Sequence, residues 1–153
     1  MKFKSEQDLS ALTRFNKEIN ELSHNELEYG YYDTPHYSGL NMATLAAIHE
    51  EGWNNLPARN FIYSTSINFK ADLNKLTKTL MADIAAGRGW RKGLERIGRA
   101  GARKITFTID SGMFSNPKVS KDWADVKGFD DALKHYGDLK SAATFKISKA
   151  TKE

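Results

Sequence analysis

The chain has no cysteine, no long apolar run and little excess of either charge. Without cysteine there is no disulfide scaffold, no thiolate zinc site and no cysteine nucleophile. Such a chain suits a reducing cytosol, although it tolerates oxidation equally well. No stretch approaches the roughly 18 apolar residues that a membrane helix needs. The N-terminal MKFKSEQDLSALTR has two lysines followed by acidic and polar residues, and so lacks the apolar run of a signal peptide. Internal repeats and low-complexity tracts are missing too. The formal net charge of +4 permits a nucleic-acid partner without requiring one.

What is present fits an ordinary globular chain. With 153 residues, 40% hydrophobic and 27% charged, it suits one domain with a real core rather than disorder. Over 5–23, Leu9, Leu12, Phe15, Ile19 and Leu22 recur at steps of three and four, which predicts an amphipathic helix. Ser5 and Asp8 form its capping-box-like start. The Tyr-rich segment 26–33 predicts a strand, with Gly30 marking a bulge or a close backbone approach. A loop over 34–41 leads to a helix over 42–51, capped by Asn41 and stopped at Gly52.

After a polar loop with Pro57, a long helix runs from Phe61 or Ser64 to Ala86, and Gly87 and Gly89 break it. A second helix follows from Trp90 to about Ile109, although its end, ITFTID, has strand-like composition. Residues 111–131 read mostly as loop, with one helical turn at Lys121–Val126. The end of the chain reads as a turn at Gly137, a short helix at Asp138–Ser141 and a strand AATFKIS that can pair with 26–33. Residues 149–153 are expected to fray.

Catalytic and metal motifs are hard to find. His49-Glu50 begins like the zinc motif H-E-x-x-H, but the second histidine position is Trp53. His24, His36 and His135 are scattered through loop-like sequence. Gly87-Arg88-Gly89 lacks the spacing of either phosphate-binding glycine motif. Asp72, Asp83, Asp110, Asp130 and Asp131 show no paired-carboxylate pattern. No catalytic residue, cofactor or metal ligand is therefore assigned.

Two stretches stand out instead. Ala46-Ala47-Ile48-His49-Glu50-Glu51-Gly52 is followed by Pro57-Ala58-Arg59-Asn60-Phe61. Later comes Leu133-Lys134-His135-Tyr136-Gly137-Asp138-Leu139-Lys140-Ser141-Ala142-Ala143-Thr144-Phe145-Lys146-Ile147. Together, and in this order around two helices, they resemble a broad family of bacteriophage virion-morphogenesis proteins: tail-completion, neck and head–tail joining proteins. Family members often have a strand with a central glycine, a helix of the form A-x-x-H/Y-E-x-G, then P-x-R-x-F, two helices, and L-I-D-T-G-x-L-x-x-S-I-x-Y-x-V. The likeness covers most of 26–148. Asn60 stands where the second proline of P-x-R-P-F is usual, and His135-Tyr136 where Asp-Thr are usual.

The resemblance implies a structural virion protein, not an enzyme, that is assembled in the host cytoplasm. It would form a homo-oligomeric ring, of six copies by family analogy, at the head–tail junction. Its other partners would be the tail tube or tail terminator and the head connector. Physically, Glu50, Gly52, Pro57, Arg59 and Phe61 read as a brace setting the angle between two helices, with Glu50 the natural carboxylate for Arg59. That brace could be purely intrachain or could lie at subunit contacts.

One constellation is basic. Projected as a helix at about 100° per residue, Arg88, Lys92, Arg96, Arg99 and Arg103 form one stripe, opposite Trp90, Leu94, Ile97, Gly101 and Ile105. Glu95 lies at its edge. Three readings fit: a solvated face, a dock for an acidic neighbouring subunit, or a contact for DNA or RNA phosphate without sequence specificity. The last makes a basic nucleic-acid-binding adaptor the alternative function.

The expected architecture is α+β. A small, mainly antiparallel sheet packs against two long helices, with an extra N-terminal helix. Residues 1–25 would form that helix, a possible subunit-contact arm. Residues 26–148 would form the joining-protein-like domain, and 149–153 the tail.

Overall fold

A computed structural model of the chain describes residues 5–114, 118, 121–122, 125 and 137–151, with side chains from residue 9 onward. The named elements are α1 (Ser5–Ser23), β1 (Asn25–Gly30), α2 (Met42–Glu51), α3 (Phe61–Ala85), α4 (Arg91–Asp110), α5 (Asp138–Ala142) and β2 (Thr144–Lys149). The fold is α+β, with a two-stranded sheet against helices and a helix in front. The strands run antiparallel. The His24 carbonyl accepts the Ala150 amide at 3.0 Å, and Ser148 Oγ donates to Glu26 at 3.3 Å, so the partner number falls as the residue number rises. No helix among the described residues is long and apolar enough to cross a membrane.

Several boundaries differ from the sequence expectation. The first strand ends at Gly30, not residue 33, and the last spans 144–149. ITFTID is helical to Asp110, because Ile105, Thr108 and Ile109 are buried at helical spacing and this overrides their β propensity. Lys121, Asp122 and Asp125 are helical. The rest of the expected turn to Val126, most of 111–131, and the Leu133–Tyr136 part of the C-terminal motif lie outside the described residues. So do the side chains of Ser5 and Asp8.

The chain forms two compact units. The first joins Met1–Glu28, Ala71–Gly98 and Lys146–Glu153. Its core is Leu80, Ile84, Trp90, Leu94 and Ile97. Phe15, Ile19 and Leu22 of α1 pack against that core, together with Leu27 and Ile147. Only part of the α1 stripe is covered: Leu9 and Leu12 remain 58% and 55% exposed. Gly93 lets α4 approach α3 closely, since a Cβ there would lie 2.5 Å from Leu80 Cδ1.

The second unit joins Tyr29–Lys70 and Arg99–Phe145. Its core is Met42, Ala46, Phe61, Ile105, Ile109 and Leu139. Tyr29 meets Phe69 and Tyr31 meets Phe61 edge-on, with ring centroids 5.6 and 6.1 Å apart. The hydroxyls of Thr65 and Thr108 lie 2.8 Å apart, and each is also within hydrogen-bond distance of a carbonyl of its own helix, so the two buried O–H groups both have acceptors. α2 starts as its sequence predicts, with Asn41 Oδ1 accepting the Thr44 amide at 2.7 Å.

Candidate functional site

The residues of the first motif do come together, but not as the expected pair. α2 ends at Gly52, whose amide bonds the Ile48 carbonyl at 2.9 Å. Its backbone, at φ 80 and ψ 156, suits glycine, and a Cβ would sit 2.7 Å from the Ala58 nitrogen. Trp53 and Leu56 exchange backbone hydrogen bonds to close a tight turn, and Pro57 follows, half-buried. The chain then doubles back: the Arg59 amide bonds the His49 carbonyl at 3.0 Å, and the Asn60 amide bonds the Glu50 carbonyl at 3.1 Å.

Glu50 and Arg59 serve different partners. The Glu50 carboxylate accepts the amides of Ile62 and Tyr63 at 2.7 and 2.9 Å. It therefore caps the first turn of α3, where unpaired N–H groups and the positive end of the helix dipole favour an anion. Arg59, 3% exposed, sends Nη1 to the Phe114 carbonyl at 2.8 Å. No Glu50–Arg59 ion pair forms among the described residues; the helix end takes the carboxylate that spacing alone assigned to arginine. Phe61 is fully buried and anchors α3. Burial, and next the Glu50 charge, push the Tyr31 hydroxyl pKa well above its ordinary value.

Asn60 adopts φ 46. Proline, held near −65°, cannot take that conformation. A proline at this position would require a different turn into α3. The Asn60 carbonyl also accepts the Ser64 amide, which makes it the residue leading into α3.

The cationic residues divide between the units. In the first unit, Arg88 is not on the helix but in the turn before α4. Arg88 pairs with Asp83 at 2.7 Å, and Arg96 reaches the same carboxylate at 3.3 Å. The Arg88 hydrogen bond, aided by the charges of Arg88 and Arg96, outweighs desolvation and lowers the Asp83 pKa. Arg91, which the helical projection left out, is exposed and lies 3.7 Å from Glu95. Lys92 is exposed beside it. Arg88, Arg91 and Lys92 line an open depression of about 410 Å³ with Glu18, Glu21, Gly89 and Trp90. Glu18 accepts the Trp90 amide at 3.0 Å and Glu21 its indole N–H at 3.3 Å, so α1 grips the turn ahead of α4. In the second unit, Arg99 and Arg103 are exposed, with Arg99 over the Phe145 ring at 5.9 Å.

One cluster escaped the sequence reading. His36 Nε2 lies 3.2 Å from Asp138 Oδ2, and its Nδ1 lies 2.7 Å from Ser38 Oγ and 3.2 Å from the Ser38 amide. Because that amide donates to Nδ1, the Nε2 proton faces Asp138, an assignment that follows from the bonding pattern. The cluster ties the 34–41 loop to α5. Its only sequence signal was a turn-rich His-Tyr-Ser-Gly, and the partner lies 102 positions away. Among the described residues, no group of three His, Cys, Asp or Glu is placed to hold a metal ion.

No protein-family model, no curated protein and no solved structure matches the chain.

Proposed function

We propose that this chain is a structural protein of a bacteriophage virion, acting by assembly rather than catalysis. It forms a homo-oligomeric ring at the head–tail junction, as a tail-completion, neck or head–tail joining component, with six copies by family analogy. Its partners are further copies of itself, the tail tube or tail terminator, and the head connector. The resemblance of 46–61 and 133–147 to that family supports the reading, and the φ of Asn60 marks where this chain departs from it.

The observation that carries the proposal most is the brace itself. Glu50, Gly52, Arg59 and Phe61 fix the α2–α3 corner by backbone capping and burial. That fixed corner holds two large side chains outward: Trp53 at 71% and Tyr63 at 64% exposure. Exposed Trp and Tyr on a rigid frame suit a protein interface. Quantitative mass spectrometry of purified particles tests the proposal. The protein should be recovered in the virion at a fixed copy number matching a single ring. Its absence from washed particles defeats the reading.

A further inference from the structure

The basic residues of this chain are not spread evenly. Six of them, Arg88, Arg91, Lys92, Arg96, Arg99 and Arg103, fall within the 16 residues 88–103, whose one acid is Glu95; in the fold, Asp83, Glu18 and Glu21 also lie beside the first four. Four of the six, Arg88 to Arg96, belong to the first unit. We infer that Arg88, Arg91, Lys92 and Arg96 form a contact face for the phosphate backbone of duplex nucleic acid, binding without base readout.

Three features favour phosphate. First, Arg88 and Arg96 are both held to Asp83, which is 13% exposed while they are 64% and 48% exposed. The acid lies beneath and the guanidinium groups lie outward, so two planar donors are positioned before any ligand arrives. Second, Arg91 and Lys92 project from the first turn of α4, whose inner side is fixed in the core by Leu94 and Ile97. Third, among the described residues no large apolar side chain is exposed between Arg88 and Arg96. A protein partner would favour a desolvated apolar or aromatic centre; a phosphate backbone needs none. The inference rests on this charge distribution and does not need the virion reading.

Fluorescence anisotropy with two unrelated 20-base-pair duplexes across a salt series tests it. The intact protein should bind both alike, with a logarithmic salt slope of about −3, as three or four phosphate contacts require. The double variant R91E/K92E should bind at least about tenfold more weakly, with a slope shallower by roughly 2. Glu95→Gln, which frees Arg91 from its acid, should tighten binding about threefold, a gain that unfolding cannot imitate. No binding at about 50 mM salt overturns the inference. So does R91E/K92E binding within a factor of two of the parent, or an oligoglutamate of equal charge binding more tightly than duplex.

Discussion

Glu50 Oε2 accepts the Ile62 amide at 2.7 Å across a twelve-residue interval, so the end of one helix closes the start of the next. The same carboxylate takes the Tyr63 amide, leaving the corner between α2 and α3 little freedom. Glu50→Ala leaves both amides without their acceptor. We predict a loss of about 1–2 kcal/mol, as for other helix caps, in urea unfolding, with Glu50→Gln milder because one oxygen remains. A change below a few tenths of a kcal/mol would deny the capping role.

Asn60 supplies a sharper test of the α2–α3 corner. Its φ of 46 and its amide bond to the Glu50 carbonyl are both incompatible with proline. Asn60→Pro should destabilise by about 3 kcal/mol or more, whereas Asn60→Gly should be neutral or mildly stabilising. A proline variant that melts with the parent would show that the corner takes another form.

Gly101 sits where a Cβ would lie 2.6 Å from the Tyr29 ring. Alanine gains about 1 kcal/mol of helix propensity but overpacks the second unit by about 1–3 kcal/mol. Calorimetry should therefore show Gly101→Ala less stable than the parent, and a rise in melting temperature would contradict the packing seen here.

Asp83 makes stability depend on pH in a defined direction. Its carboxyl pKa is lowered in the folded chain, first by the Arg88 hydrogen bond. As pH falls, the unfolded chain takes up the proton before the folded one does. The stabilisation is thus fully present above the ordinary carboxylate pKa of about 4 and is lost as pH drops through the lower folded value. Urea titrations of the parent and Asp83→Asn should show a gap at neutral pH that closes in acid. A gap that stays constant with pH would remove Asp83 from the account.

Local signals carried most of the fold. The three-and-four spacing of Leu9 to Leu22 marked α1, Asn41 and Gly52 marked both ends of α2, and Gly87 and Gly89 marked the break between α3 and α4. Alternation over Phe145 and Ile147 marked β2, which pairs with β1 as expected. The sequence is less informative wherever two distant groups choose each other. Spacing suggested Glu50 for Arg59, yet a helix terminus competes for the carboxylate and its claim appears only once α3 is placed. The helical projection put Arg88 on a ridge, but Asp83 one turn earlier draws it into a joint ion-pair cluster with Arg96. His36 and Asp138 could not be linked before the chain was folded.

Mass photometry with negative-stain electron microscopy of the purified chain is the sharpest test of the proposed assembly into a ring. Closed rings should form, with a mass near six times the 17.2 kDa of one chain, and should be lost in a Trp53→Ala, Tyr63→Ala variant that still folds. A particle that stays at 17.2 kDa at every concentration, with no rings in the images, would contradict it.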